Sequence, residues 1–155
     1  FPTRRFSDLI DMFLSDLTGA DFIAADLRCA DLAYTKLPKS WLGDANLEWA
    51  DLTGAILEGA HFKGKPPEDE EKEWLSLETN FPRFRGTRIN GTNLLDIKGA
   101  SVEELKELLR GCWWSREEEF SAPSLPDDIN ADDLPSSPEE TEPTGGEIWK
   151  PSESE

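Results

Sequence analysis

The sequence predicts an all-β solenoid that ends in a short capping α-helix and continues into a disordered acidic tail. Three observations support this prediction. A large apolar residue recurs at every fifth position from Met12 to Phe62. A short amphipathic segment with helix-capping residues follows the repeats. Residues 112–155 then hold 13 Asp and Glu against two Lys and Arg, a net charge of −11 in a chain whose total is −17.

The five-residue period indicates the solenoid because it fits neither the 3.6-residue period of a helix nor the two-residue period of a strand. A fixed short repeat is typical of stacked units, in which each unit completes the core of its neighbours. A small residue stands two positions before each large one after Met12, and these two sets are the candidates for the core. The predicted core consists of Phe22, Leu27, Leu32, Leu37, Leu42, Leu47, Leu52, Leu57 and Phe62, with Ala20, Ala25, Ala30, Ala45, Ala50, Ala55 and Ala60.

The chain divides into six segments. Pro2–Leu9 resembles, apart from Phe6, the translation of a sequencing adapter, so we interpret residues 1–9 as non-native and the chain as a fragment. The period weakens after residue 62, where prolines and like charges predict an exposed loop, and it resumes with Phe84. The segments are 1–9 non-native, 10–62 β-helix, 63–79 acidic insert loop, 80–99 continued β-helix, 100–111 capping helix and 112–155 disordered tail.

The capping helix is predicted from residues at its two ends. Ser101 with Glu104 forms a capping box, and Gly111 suits the position after the last turn. An apolar stripe between them would cover the end of the core. The tail beyond it holds too few apolar residues to offset the entropy of ordering, so we expect disorder.

Composition excludes several classes of function. The negative charge argues against a protein that binds nucleic acid by neutralising phosphates. Cys29 and Cys112 have no metal-ligand spacing, which favours free thiols in a reducing compartment. The sequence holds no span long enough for a membrane and no signal peptide, so we expect a cytoplasmic protein.

No residue pattern predicts catalysis, a metal site or a cofactor. His61 is the only histidine, and it falls at an outward position without a ligand-spaced partner. Asp11, Asp31 and Asp51, which are 20 positions apart, are expected to belong to a solvated face rather than a cation site. Either a small basic patch or a solvated face is formed by Arg83, Arg85 and Arg88. We therefore expect a protein that is not an enzyme.

The units Ala20-Asp21-Phe22 and Ala50-Asp51-Leu52 illustrate a motif, A(D/N)LXX, that resembles the pentapeptide-repeat family. The resemblance covers residues 10–62 strongly and 82–96 weakly. It implies a right-handed quadrilateral parallel β-helix with one pentapeptide per face and four per coil. The large residues and the small ones two positions before them would then point inward, and residues 20 positions apart would stack in adjacent coils.

The sequence favours a non-catalytic scaffold that serves as a protein–protein interaction module. Tyr34, Trp41 and Trp49 fall at outward positions and Trp149 lies in the tail, so each is a candidate anchor for an unidentified protein partner. The alternative for the first three is that the insert or the tail covers them. We expect neither direct nucleic-acid binding nor membrane binding.

Three further alternatives remain open. The resemblance implies that the protein could be a DNA-mimic modulator of a type II topoisomerase, although a mimic needs a long rod with negative charge along it. The chain could also be the C-terminal part of a larger multidomain protein. An exposed first coil would be an unpaired strand edge, so a homodimer through a solenoid end is the third alternative.

Overall fold

The computed structural model describes residues 11–64 and 80–144, which form a solenoid of stacked coils. Parallel backbone bridges join residues 20 positions apart, as Asp11 pairs with Asp31 and Asp31 pairs with Asp51. Each coil therefore takes four pentapeptides, and the predicted 20-residue stacking is confirmed. The four outward columns define four faces, which begin in the first coil at Asp11, Asp16, Asp21 and Asp26.

The same columns continue after the insert. Asn46 pairs with Arg83 and Asp51 pairs with Arg88, which are 37 rather than 20 positions apart. The third coil therefore contains 17 extra residues, which leave the coil and return in register. Residues 65–79, most of the predicted insert, lie outside the described residues.

A tight turn follows each large core residue and separates one face from the next. The Ala45 amide donates to the carbonyl of Leu42 at 3.0 Å, and the intervening Asp44 has a φ of 58°. A positive φ at the third residue is the geometry of a type II turn. Because the turns leave only one bridged residue on most faces, the described strands are as short as β1 (Thr87–Arg88).

The recurring Asp or Asn of the repeat stabilises its own turn. Asp51 Oδ1 accepts the Thr53 amide at 2.9 Å, and Asn46 Oδ1 accepts the Glu48 amide at 3.0 Å. Such short polar side chains commonly bind backbone groups two residues ahead. The same bond recurs at Asp11, Asp16, Asp21, Asp26, Asp31 and Asn93.

The core lies inside the coils, on the large and small positions of the repeat. The predicted core residues from Leu27 to Phe62 are at most 2% exposed, whereas Phe22, Ala20 and Ala25 of the first coil are half-buried. Polar residues at small positions satisfy their own hydroxyls. Thr35, for example, is fully buried and donates to the Leu32 carbonyl at 2.7 Å.

The helix α1 spans Val102–Leu109 and begins with the predicted capping box. The Glu104 amide donates to Ser101 Oγ at 3.1 Å, and the Ser101 amide donates to Glu104 Oε1 at 2.9 Å. Its buried residues Leu105, Leu108 and Leu109 belong to the same apolar cluster as the coils. In the described part of the chain, no helix is long and apolar enough to cross a membrane.

The prediction of disorder from residue 112 onward is wrong for residues 112–144. We call residues 111–144 the strap, because they lie along the last coil and supply it with backbone partners. The strand β2 (Cys112–Trp113) pairs parallel with β1, and Ser124 forms a bridge with Asn93. The last coil would otherwise present unpaired backbone groups, and this pairing gives the acidic segment a place to order. Residues 145–155 lie outside the described residues.

A few side chains fasten the strap to the core. Trp114, which is 8% exposed, donates from Nε1 to the Ala131 carbonyl at 2.8 Å. The Arg116 guanidinium lies 3.9 Å from the Trp114 ring and donates to the Leu134 carbonyl at 2.7 Å. Ile129 and Leu134 are buried with Trp114. Two 3-10 helices, Ala131–Asp133 and Pro138–Glu140, complete the strap.

Candidate interaction surface

Three apolar side chains project from the corner between the first and second faces. Phe13, Leu14 and Tyr34 are 48%, 66% and 53% exposed, and we call them the apolar corner. The Phe13 and Tyr34 rings meet edge to face with centroids 5.9 Å apart. The Leu14 amide donates to the carbonyl of Ala33, which places Leu14 and Tyr34 in one column. Sequence reasoning selected Tyr34 and overlooked Phe13 and Leu14, although the five-residue register places both outward.

The position of the Tyr34 ring in the apolar corner depends on Gly54, which lies beneath it in the next coil. Gly54 follows Tyr34 by 20 positions and has a φ of +68°. A Cβ atom at Gly54 would overlap the Tyr34 ring. The absence of a side chain at this position therefore lets the ring lie against the next coil.

The first face borders the apolar corner with an acidic column, which we call the aspartate ladder: Asp11, Asp31 and Asp51. The three residues are joined by consecutive parallel bridges. Each carboxylate accepts the backbone amide of the residue two positions ahead at 2.9–3.1 Å; these donors are Phe13, Ala33 and Thr53. Asp11 is exposed and the other two are half-buried. Among the described residues, no cluster of His, Cys, Asp and Glu is arranged to hold a metal ion.

The other candidate anchors are engaged within the solenoid. Trp41 stacks on His61 with centroids 3.6 Å apart and planes inclined by 3°. Trp49 is half-buried, and its ring occupies the space that a side chain at Gly86 would need. Trp149 lies outside the described residues. Of the predicted anchors that the structure describes, Tyr34 alone is exposed.

The stack on Trp41 also sets the electrostatic environment of His61. His61 is half-buried and pairs in its column with Lys98. Burial, followed by the nearby ammonium of Lys98, lowers the pKa of the imidazole from its ordinary value. The neutral imidazole is therefore favoured at this position.

The three arginines do not form one basic patch. The Arg88 guanidinium lies 4.4 Å from the Phe120 ring and donates to Asn90 Oδ1 at 2.9 Å. Arg85 lies 5.9 Å from the Trp49 ring, and Arg83 is exposed. Contacts with rings of the strap and the coils therefore separate them.

The two cysteines are free thiols in different environments. Cys29 is half-buried at a turn, whereas Cys112 is fully buried where β2 meets the last coil. Burial raises the pKa of the Cys112 thiol far above its usual range. Cys112 therefore stays a neutral core residue.

A surface groove of about 570 Å³ lies along the strap, and several of its polar groups bind other residues of the groove. Arg110 pairs with Glu142 at 2.6 Å. Glu140 Oε1 accepts both the amide and the hydroxyl of Ser136, which lowers the pKa of that carboxyl. These bonds assign the groove a role in holding the strap together.

Comparisons with known proteins agree with the repeat geometry. The family model for pentapeptide repeats matches eight copies over residues 15–42 and 39–64. A search of curated protein sequences found no match. A pentapeptide repeat protein from the thylakoid lumen of Arabidopsis thaliana is similar at 20% identity and a TM-score of 0.46, over 76% of this chain and 70% of that one. That likeness is too distant to indicate a partner or a location.

The matched copies lie on the coils whose 20-residue bridges define the solenoid. Proteins of this kind are generally non-catalytic repeat scaffolds. Residues 15–64 therefore carry the repeats that define the pentapeptide-repeat family.

Proposed function

We propose that the protein is a non-catalytic scaffold that binds a protein partner through the apolar corner. The carrying observation is that the three most exposed large apolar side chains of the described residues, Phe13, Leu14 and Tyr34, lie side by side, with the Phe13 and Tyr34 rings in contact. Exposed aromatic and aliphatic residues that cluster in this way commonly anchor protein interfaces. The rigid coils hold the corner in a fixed shape, which lowers the entropy cost of binding.

The distribution of charge supports a scaffold over a DNA mimic. Residues 11–64 and 80–110 carry ten Lys and Arg and 13 Asp and Glu, a net charge of −3. The strap carries ten Asp and Glu and one Arg, a net charge of −9. The first face stacks five layers, from Asp11 to Trp113, which at about 4.8 Å per layer is only about 19 Å. The described negative charge is therefore concentrated at one end of a short rod.

A reducing compartment such as the cytoplasm is part of the proposal. Both described cysteines are free, and free thiols persist in reducing compartments.

Site-specific photo-crosslinking tests the proposal. A photoreactive benzoyl-phenylalanine replaces Tyr34 in one variant and Glu58, exposed on a different corner, in the control. We expect a discrete cross-linked species with a different protein from Tyr34, which the additional change Leu14→Asn removes. Cross-linking from neither site, or equally from both, contradicts the proposal. A Tyr34 product of twice the chain mass would instead identify a homodimer and overturn the assignment of a different partner.

A further inference from the structure

We propose that the segment bound at the apolar corner is a basic amphipathic one, in which Leu-like side chains cover the corner and Lys or Arg side chains face the aspartate ladder. The inference rests on the proposed function and names the chemical class of its partner. Two observations support it. The ladder lies beside the apolar corner, and the nearest described cations contact other groups.

The apolar corner and the aspartate ladder run side by side along the solenoid. Asp11 precedes Phe13 by two residues, and its carboxylate accepts the Phe13 amide at 3.1 Å. Asp31 precedes Ala33 and Tyr34 in the same way in the next coil. With coils about 4.8 Å apart, the three carboxylates extend over about 10 Å. A single helix or extended segment can therefore contact both stripes.

In the part of the chain that the structure describes, the nearest cations do not form salt bridges with the ladder. Arg88 continues the column below Asp51, but its guanidinium lies against Phe120 of the strap and donates to Asn90. On the second face, Lys36 stands one coil below Asp16. Among the described residues, the surroundings of the corner are therefore net negative, and charge complementarity favours a basic partner over an acidic one. Lys and Arg also cover apolar surface with their stems while the charged ends reach carboxylates.

The repeat itself offers a substitution that removes charge without breaking a turn. Asn46 makes the same side-chain bond to the backbone as the aspartates do. The triple variant Asp11→Asn, Asp31→Asn and Asp51→Asn should therefore keep its turns and lose three charges. The matched control neutralises three aspartates that do not border the corner: Asp21→Asn, Asp26→Asn and Asp44→Asn.

Fluorescence anisotropy with defined probes tests the inference. The probe is a labelled 14-residue helical peptide of eight leucines and six lysines, and its counterpart carries glutamate in place of lysine. Exposed ion pairs contribute up to about fivefold each, so we expect the ladder variant to bind the lysine peptide about tenfold more weakly. The control triple variant should change affinity less than about twofold, and the glutamate peptide should bind at least about tenfold more weakly than the lysine peptide.

A second variant distinguishes peptide binding at the apolar corner from peptide binding at the acidic strap. Leu14 and Tyr34 both have positive φ, which Asn tolerates, so Leu14→Asn with Tyr34→Asn removes the apolar surface at unstrained positions. This variant should also lose about tenfold or more of its affinity, with an unchanged circular dichroism spectrum.

Two results would overturn the inference: equal losses of affinity in the two triple variants, or undiminished affinity in the corner variant. Either result would mean that the peptide binds through the overall negative charge of the protein. If the glutamate peptide binds as well as the lysine peptide, the basic partner is wrong while cross-linking from Tyr34 still supports the corner as an interface. Absence of that cross-link is the separate result that defeats the proposed function.

Discussion

The substitution Ala45→Leu tests the inner register of the solenoid. Ala45 is 0% exposed, and its amide donates to the Leu42 carbonyl at 3.0 Å. Its column holds Ala25 in the coil above and Pro82 in the coil below, as the Asn46 bridges to Asp26 and Arg83 show for the adjacent position. A leucine would add three carbon atoms to a position enclosed on all sides.

The expected effect follows from this enclosure. Overpacking a tight core costs about 1–3 kcal/mol in the free energy of unfolding. For a chain of this length, 1 kcal/mol corresponds to a change in Tm of about 2–4 °C, so we expect Tm to fall by roughly 3–10 °C. Differential scanning calorimetry or thermal circular dichroism measures this change.

Ala24→Leu is the matched control, because Ala24 is exposed at a turn with a φ of 62° and Leu14 occupies the equivalent turn position on the first face of the same coil. The control should change the free energy of unfolding by about 0.5 kcal/mol or less. If Ala45→Leu melts with the wild type, or if both variants lose the same stability, the assignment of inner and outer positions is refuted.

Three further predictions concern the backbone, pH and the strap. Gly99→Ala should lower Tm more than Gly19→Ala, although both glycines have positive φ. A Cβ at Gly99 would lie 2.8 Å from a backbone nitrogen of the preceding coil, whereas the one at Gly19 meets nothing within 4 Å. Equal losses would contradict that close approach. Because burial, and next a neighbouring lysine, lower the pKa of folded His61, the unfolded chain binds its proton first, so stability should decrease as pH falls from about 6.5 to the folded pKa. The decrease should disappear in His61→Gln, and an NMR titration giving a pKa above 6.5 would mean that the stacked indole stabilises the imidazolium more than burial opposes it. Iodoacetamide should modify Cys29 in the native protein and reach Cys112 only in denaturant; equal rates would show that the strap does not pack as described.

The repeat could be predicted from the sequence because each five-residue unit contains all the residues that define its own face and turn. An inner leucine, an alanine two positions earlier and an Asp or Asn between them are sufficient to define one face and one turn. The 20-residue stacking followed from the family resemblance, and the bridges of Asp31 to Asp11 and Asp51 confirm it. The right-handed sense stays a prediction of that resemblance.

The register after the insert and the ordering of the strap could not be predicted from the sequence. The step from Phe62 to Phe84 breaks the period, and only the pairing of Asn46 with Arg83 shows that the columns resume in register. The acidic strap was predicted to be disordered because its apolar residues are few. Trp114 and Leu134 nevertheless reach the core, and the last coil offers its backbone to β2.

The candidate site divides in the same way. The register by itself determined that three aromatic residues point outward, because only two positions of each five-residue unit face the core. These residues are Tyr34, Trp41 and Trp49. Which of them stays accessible depends on the coil below, and only the tertiary structure decides it. Tyr34 lies against a glycine at the open corner, whereas Trp41 stacks on His61. Outward direction is a local property of a five-residue unit, but exposure depends on contacts between residues 20 or more positions apart.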